Sequence, residues 1–315
     1  MLYRFFVTMQ QLAGMIPRRV RWRIGGFLGQ AAYWLWPAKR RATLQNMSVV
    51  LGLPVRHPRV QRTARLSWRN YGRFSGDLFD LPNHPPAFYI NDITDLTGDP
   101  MPDGTMRAMH LVDEARALGK GVVITTGHYG NWDVAGMLVA SRAPLYVIAE
   151  ALPDERLNRL LQEQRKGMGM SVLMIDDALR PMMRLLRAGE MIATPVDRPV
   201  PPEEGIPVTF FGKTAYVPRG LGTLASRLGA AIVAGFVWCD RDGHYQAFVN
   251  PPVVITPSGD ADADVIRATQ VMYDALEQMI RRDPTQWYMF RPFWPASATA
   301  VPAPAVPMTQ AGAHE

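Results

Sequence analysis

Between residues 121 and 250 the chain alternates short apolar, β-branched runs with helical stretches, and this alternation restricts the fold more than any other feature. The strand-length runs fall at 121–126, 145–149, 172–175, 191–196, 231–239 and 245–250. The helical stretches between them fall at 132–140, 153–167, 179–188 and 220–228, and a further helix over 263–282 opens on the acidic segment 260–264. Strands that are apolar along their whole length, rather than at every second residue, must be covered on both faces. The expected fold is therefore α/β, with a mostly parallel central sheet flanked by helices. A hydrophobic content of 48% supplies the core for it. Residues 80–105, rich in Pro, Gly, Asn and Asp, read as a long loop, and the Pro/Ala-rich stretch 295–315 as a disordered tail.

Charge divides the chain differently. Residues 1–76 hold 14 of the 34 Lys and Arg and no acid, while the remainder holds all 28 Asp and Glu. A head this basic is attracted to polyanions, either phospholipid headgroups or nucleic acid. Its aromatics favour the membrane: Tyr3, Phe5, Phe6, Trp22, Phe27, Tyr33, Trp34 and Trp36 lie among apolar residues, with Arg18, Arg19, Arg21 and Arg23 before them and Lys39, Arg40 and Arg41 after. Pro17 splits the stretch into two helices, near 2–16 and 20–36. Apolar faces, interfacial aromatics and flanking arginines suit helices at an anionic bilayer surface. The same helices could instead pack into the core with solvated arginines. No zinc-finger, ribonucleoprotein or glycine-loop motif supports a nucleic-acid partner. No apolar run reaches the roughly 18–20 residues of an unambiguous span, and no secretory signal is legible, so the expected location is the cytoplasmic face of the cytoplasmic membrane, peripheral or monotopic. The expected organisation is a basic helical membrane-associating segment over 1–76, a catalytic α/β domain over 77–294 and the tail over 295–315.

The chemistry concentrates in Gly127-His128-Tyr129-Gly130-Asn131-Trp132-Asp133, which follows one strand-length run and opens a helix. Open α/β sheets bind ligands at such carboxyl ends of strands. Gly127 and Gly130 permit a sharp turn, and Asn131 suits a helix N-cap. With His128 on the turn and Asp133 in the first helical turn, the two can face each other as an imidazole base and its orienting carboxylate. An isolated H-x4-D is more often a buried histidine beside a helix-capping aspartate; here the strand, the glycines and the cap favour the catalytic reading. Other motifs fall away. Gly212-Lys213-Thr214 mimics the end of a phosphate loop, but Pro207 stands where that motif needs Gly. Gly25-Gly26 and Gly29 follow no strand, and Cys239, the single cysteine, excludes an intramolecular disulfide framework or a multi-cysteine metal site.

The window GHYGNWD resembles the H-x4-D/E motif of the glycerolipid acyltransferase superfamily. More closely, it is similar to the lipid A biosynthesis (lauroyl/myristoyl) acyltransferases and their phosphatidylinositol mannoside acyltransferase branch. Arg40-Arg41 with Leu44-Gln45-Asn46-Met47, Ala149-Glu150, Arg165 with Gly169, Asp197-Arg198, Val208-Thr209-Phe210-Phe211-Gly212 and Asp283-Pro284-Thr285-Gln286-Trp287-Tyr288 continue the likeness across roughly residues 10–294. Asp133 stands where many lipid A enzymes have Glu.

The resemblance implies a membrane-associated O-acyltransferase. A fatty acyl group would pass from acyl-CoA or acyl carrier protein to a hydroxyl of a glycolipid or phospholipid, with no covalent enzyme intermediate and no cofactor or metal beyond the thioester co-substrate. His128 would act as base and Asp133 would orient it. Gly130, Asn131, Glu150, Arg165, Asp197, Arg198, Glu204, Phe211 and Gly212 would line the substrate cleft. Trp132, Met137, Leu138, Phe210 and Phe211 are expected to form the floor of an acyl channel. The alternatives are an acyl-thioester hydrolase using the same pair, or a non-catalytic lipid-binding protein on the same fold.

Overall fold

The computed structural model describes residues 2–175 and 179–294. The expected tail, 295–315, lies outside them. Four helices come first: α1 (Leu2–Met15), α2 (Arg18–Leu35), α3 (Pro37–Leu51) and α4 (Pro58–Asp80). Prolines open α3 and α4, where a missing N–H costs nothing. α4 runs on past residue 76, so the shift in charge composition falls inside one continuous helix.

The α/β part follows as α5 (Pro86–Ile90), β1 (Ile93–Asp95), α6 (Arg107–Ala117), β2 (Val122–Thr126), α7 (Trp132–Ala140), β3 (Leu145–Ala149), α8 (Glu155–Gly167), β4 (Met170–Met174), α9 (Leu179–Arg187) and β5 (Met191–Pro195). After it come β6 (Ile206–Phe210), β7 (Lys213–Val217), α10 (Gly220–Leu228), β8 (Ala231–Cys239), β9 (Tyr245–Val249) and α11 (Ala261–Arg282). Seven strands form one sheet in the order β1-β9-β8-β2-β5-β3-β4. Every pairing in it is parallel except β8 with β9, as expected for strands buried on both faces. Successive residues serve opposite cores. Val123, Ile192 and Ile232 pack toward α11 with Met272 and Leu276, whereas Val122, Ile124, Met191 and Val233 pack with Met109 of α6 and Met137 of α7.

Two segments depart from expectation. The stretch read as a loop over 80–105 contains α5 and the short edge strand β1, which β9 holds through Ile93–Asp95. Residues 206–217 form a β-hairpin, β6–β7, whose two-residue turn is Phe211-Gly212 at φ 53° and 68°. Positive φ at both turn positions is the primed geometry that tight hairpins require.

The head folds onto this body. α2 crosses α4 on small residues: a Cβ on Gly72 would stand 2.0 Å from the Gly25 carbonyl oxygen, and one on Gly29 would stand 2.1 Å from that of Trp68. The glycines of α2 thus serve close helix packing. Its inward face also carries charge. Arg21 donates to Asp80 at 2.6 Å, Arg18 to Asp92 at 2.9 Å, and the Trp22 indole to Asp77 at 2.8 Å. Burial opposes a charged Arg18, but Asp77, Tyr245, Cys239 and the hydrogen bond to Asp92 together outweigh it and hold the guanidinium firmly protonated. Arg18 and Arg21, expected among the surface bases, are instead committed to internal carboxylates, because acids first appear in the chain at Asp77 and these are the ones α2 packs against. The outward face of α2 is apolar: Val20, Ile24, Phe27, Leu28, Trp34 and Leu35 are exposed, Leu35 by 82%. Among the described residues no helix is long and apolar enough to cross a membrane.

Candidate active site

β2 and β5 are adjacent and parallel, and their last paired residues are Thr126 and Pro195. Two residues further along each strand stand His128 and Asp197. The Val196 N–H donates to the Thr126 carbonyl at 2.9 Å, which carries the register past the strand ends. The His128 backbone N–H donates to both Asp197 oxygens, at 3.0 and 2.9 Å, and the imidazole Nδ1 lies 2.8 Å from Asp197 Oδ1. The Trp287 indole donates to Asp197 Oδ2 at 2.9 Å. The aspartate is fully enclosed while the histidine side chain is 43% exposed.

The electrostatics follow from this asymmetry. Burial alone would raise the Asp197 pKa, but the His128 charge and the hydrogen bonds from His128 and Trp287 overcome it and hold the carboxyl below its usual range. Burial alone would lower the His128 pKa; the Asp197 carboxylate and its hydrogen bond raise it on balance, against an opposing contribution from the Arg291 charge. With Asp197 ionised, Nδ1 carries the proton of the neutral imidazole, and Nε2 is left as a proton acceptor. The chain's last segment braces the turn: Tyr288 N–H donates to the His128 carbonyl at 2.8 Å, and Gly130 N–H to that of Gln286 at 2.9 Å.

The expectation paired His128 with Asp133. The structure pairs His128 with Asp197 and turns Asp133 elsewhere. Asn131 caps α7 through Val134 N–H at 3.1 Å, which places Asp133 in the first helical turn, where its Oδ1 accepts from Arg165 Nε at 2.9 Å. Asp133 is 3% exposed, and its Oδ2 has no hydrogen-bond partner among the described residues. A buried carboxylate oxygen without a donor is costly, so it marks a place where a ligand donor fits.

His128 opens onto a cavity of about 680 Å³. Asp133, Glu150, Arg165, Asp197 and Arg198 all line it, as expected, and Glu150 forms an ion pair with Arg198. Lys39 and Arg291 line it too and have no carboxylate partner among the described residues. The interior is apolar, with Ile124, Leu138, Leu145, Val147 and Val237 in its walls. The other expected residues stand apart from it. Gly130, at φ 61°, and Asn131 shape the turn beneath β8, where a Cβ on Gly130 would lie 2.2 Å from the Val237 carbonyl oxygen. Glu204 sits in a short 3-10 turn away from the cavity, and Phe211 and Gly212 form the tip of the β6–β7 hairpin, with the Phe211 ring 6.2 Å from that of Trp294. Of the expected channel floor, Trp132 and Leu138 line the cavity, while Met137, Phe210 and Phe211 belong to the packed core. Sequence reading had placed Asp197 in the cleft but not against His128, and had given no site role to Trp287, Tyr288 or Arg291. The first two lie in the closing DPTQWY segment, which was the available signal.

A half-exposed imidazole held by a buried carboxylate beside an apolar cavity can place a base against a lipid substrate. The family model for bacterial lipid A biosynthesis acyltransferases matches residues 2–295. The chain belongs to this family. It is similar to the phosphatidylinositol mannoside acyltransferases of two Mycobacterium tuberculosis strains, CDC 1551 / Oshkosh and ATCC 25618 / H37Rv. Each is 30% identical over 257 residues, covering 79% of this chain and 75% of the relative. The phosphatidylinositol mannoside acyltransferase of Mycolicibacterium smegmatis (strain ATCC 700084 / mc(2)155) is 30% identical over 237 residues, 73% of this chain and 71% of its own. As a lipid A biosynthesis acyltransferase family member, the protein is an acyltransferase. Its family match runs through the basic head as well as the α/β body, consistent with α4 joining the two in one helix.

Proposed function

We propose that this acyltransferase moves a fatty acyl group from acyl-CoA or acyl carrier protein to a hydroxyl of a glycolipid or phospholipid at an anionic membrane surface. The observation that carries the reading is the His128–Asp197 pair: Nδ1 is held by a buried carboxylate, and Nε2 is left for a proton at the mouth of an apolar cavity. His128 Nε2 removes the proton of the acceptor hydroxyl as its oxygen attacks the thioester carbonyl carbon. The new C–O bond forms, the tetrahedral intermediate collapses, the C–S bond breaks, and the imidazolium returns its proton to the leaving thiolate. Asp197 orients the ring and stabilises its charged form, the role first expected of Asp133. Asp133 is better suited to the acceptor, because its open Oδ2 can accept from a second hydroxyl of a polyol while Arg165 fixes the carboxylate. Lys39 and Arg291 provide positive charge for a substrate phosphate at the mouth.

The outward stripe of α2, with the exposed Arg19 and Arg23 of the same helix and the exposed Arg41 of α3, forms the face that meets the bilayer, on the cytoplasmic side and without spanning it. Purified protein would be mixed with anionic vesicles carrying a glycolipid acceptor and either acyl-CoA or acyl carrier protein, and the lipids read by mass spectrometry. A new acyl ester on the acceptor supports transfer; free fatty acid as the sole product, with every acceptor offered, would instead show thioester hydrolysis.

A further inference from the structure

The cavity at His128 runs between α7 and the sheet, and its lining reaches β9 at Ala247 and Val249 and includes Met109 of α6 and Leu138 of α7. A second, open cavity of about 620 Å³ lies beyond, between α5, the 101–106 loop and the end of α7. Its walls also include Met109 and Leu138, and the two cavities share no other lining residue. Both residues are 3% exposed and, as the lining common to the two cavities, stand between them as a partition. The partition is made of side chains rather than backbone, and Met, with three rotatable bonds, is the side chain that moves most easily in a core. An acyl chain entering from His128 gains affinity for each methylene that leaves water, about fourfold per carbon, until it meets an obstacle.

We propose that Met109 and Leu138 are the end-stop that sets the longest acyl chain this protein admits, and that the outer cavity receives longer chains once the partition is cut back. The inference rests on the acyl-transfer reading for its substrate but not for its test, which reads binding. Straight-chain fatty acids from C10 to C22 are titrated against the full-length protein by calorimetry. In the wild type, affinity climbs with length and then breaks to a plateau. Met109→Val and Leu138→Ala move the break to longer chains, and Met109→Phe moves it to shorter ones. Asn91→Trp, which adds bulk in the outer cavity where Asn91 makes no described side-chain hydrogen bond, brings the break of Met109→Val back toward the wild-type length. The opposite sign of the Val and Phe variants keeps the test decisive if one of them fails to fold. A break at one length in every folded variant, or a wild type that binds no fatty acid, overturns the end-stop. A parallel acyl-CoA transfer assay separates the two ideas: shifted breaks without any transfer product would remove the proposed reaction and leave the end-stop standing.

Discussion

His128 and Asp197, 69 residues apart in the chain, stand side by side because each lies two residues beyond the same rung of the sheet, Thr126 opposite Pro195. The parallel register of β2 and β5 therefore builds the pair, and the Trp287 indole locks its carboxylate from the far side. Loss of His128 should remove the base: His128→Ala is expected to lower acyl transfer by roughly 10²–10⁴-fold with the circular dichroism spectrum unchanged. Near-wild-type rates in the purified variant would exclude His128 as the base.

The pH profile should report the pair. A base at His128 would work as neutral imidazole, and Asp197 raises the His128 pKa, so the acid limb of kcat/KM should lie above the ordinary histidine value of about 6.5. In Asp197→Asn the main raising influences are gone and only the smaller one of Glu150 remains, while burial and Arg291 still lower the pKa. The limb should then move to lower pH as kcat falls. The stability consequences have opposite signs. The raised His128 stabilises the fold at pH below its unfolded pKa and loses this as pH rises through the folded value; the depressed Asp197 stabilises above its unfolded pKa and loses this as pH falls through the folded value. An acid limb that stays in place in Asp197→Asn would remove Asp197 from the mechanism.

Asp133 should behave differently from Asp197. Because its carboxylate meets Arg165 and not the imidazole, Asp133→Asn is expected to raise KM for the lipid acceptor and leave the acid limb where it was. A shift of that limb in Asp133→Asn, with acceptor KM unchanged, would return the orienting role to Asp133.

Membrane attachment should divide into a salt-sensitive and a salt-insensitive part. Arg19, Arg23 and Arg41 are exposed. Replacing the three with Gln should cost up to about 1 kcal/mol each on anionic vesicles, and high salt should mimic the change. Phe27→Asp with Leu35→Asp should weaken binding at every salt concentration, since both residues are exposed on the apolar stripe. Arg18→Gln should lower thermal stability, because it strips partners from Asp77 and Asp92. Vesicle sedimentation and thermal melts distinguish these outcomes.

The α2–α4 crossing should tolerate no added methyl group. With only 2.0 Å between a Cβ on Gly72 and the Gly25 carbonyl oxygen, Gly72→Ala must push the helices apart. A loss of about 1–3 kcal/mol is expected from overpacking, read as a lower denaturation midpoint. A midpoint equal to that of the wild type would mean that the crossing is looser than described.

What the amino-acid order determined by itself is local. Unbroken apolar runs dictate doubly covered strands, prolines open α3 and α4, and the two glycines with Asn131 make the GHYGNW turn that carries His128 to a strand's carboxyl end. The likeness of that window to the acyltransferases was legible for the same reason, since a turn motif is contiguous. What lies between distant segments was not legible. Spacing within one motif suggested Asp133 as the partner of His128, but the helix that Asn131 caps directs Asp133 to Arg165 on α8, and strand order then decided which carboxylate would reach the imidazole. The basic head likewise displayed its arginines as one class. Only the packing of α2 on α4 separated Arg18 and Arg21, which neutralise buried aspartates, from Arg19 and Arg23, which face outward. Composition records how many charges a segment holds, whereas a partner across the fold is chosen by register and helix packing, which involve residues far apart in the chain.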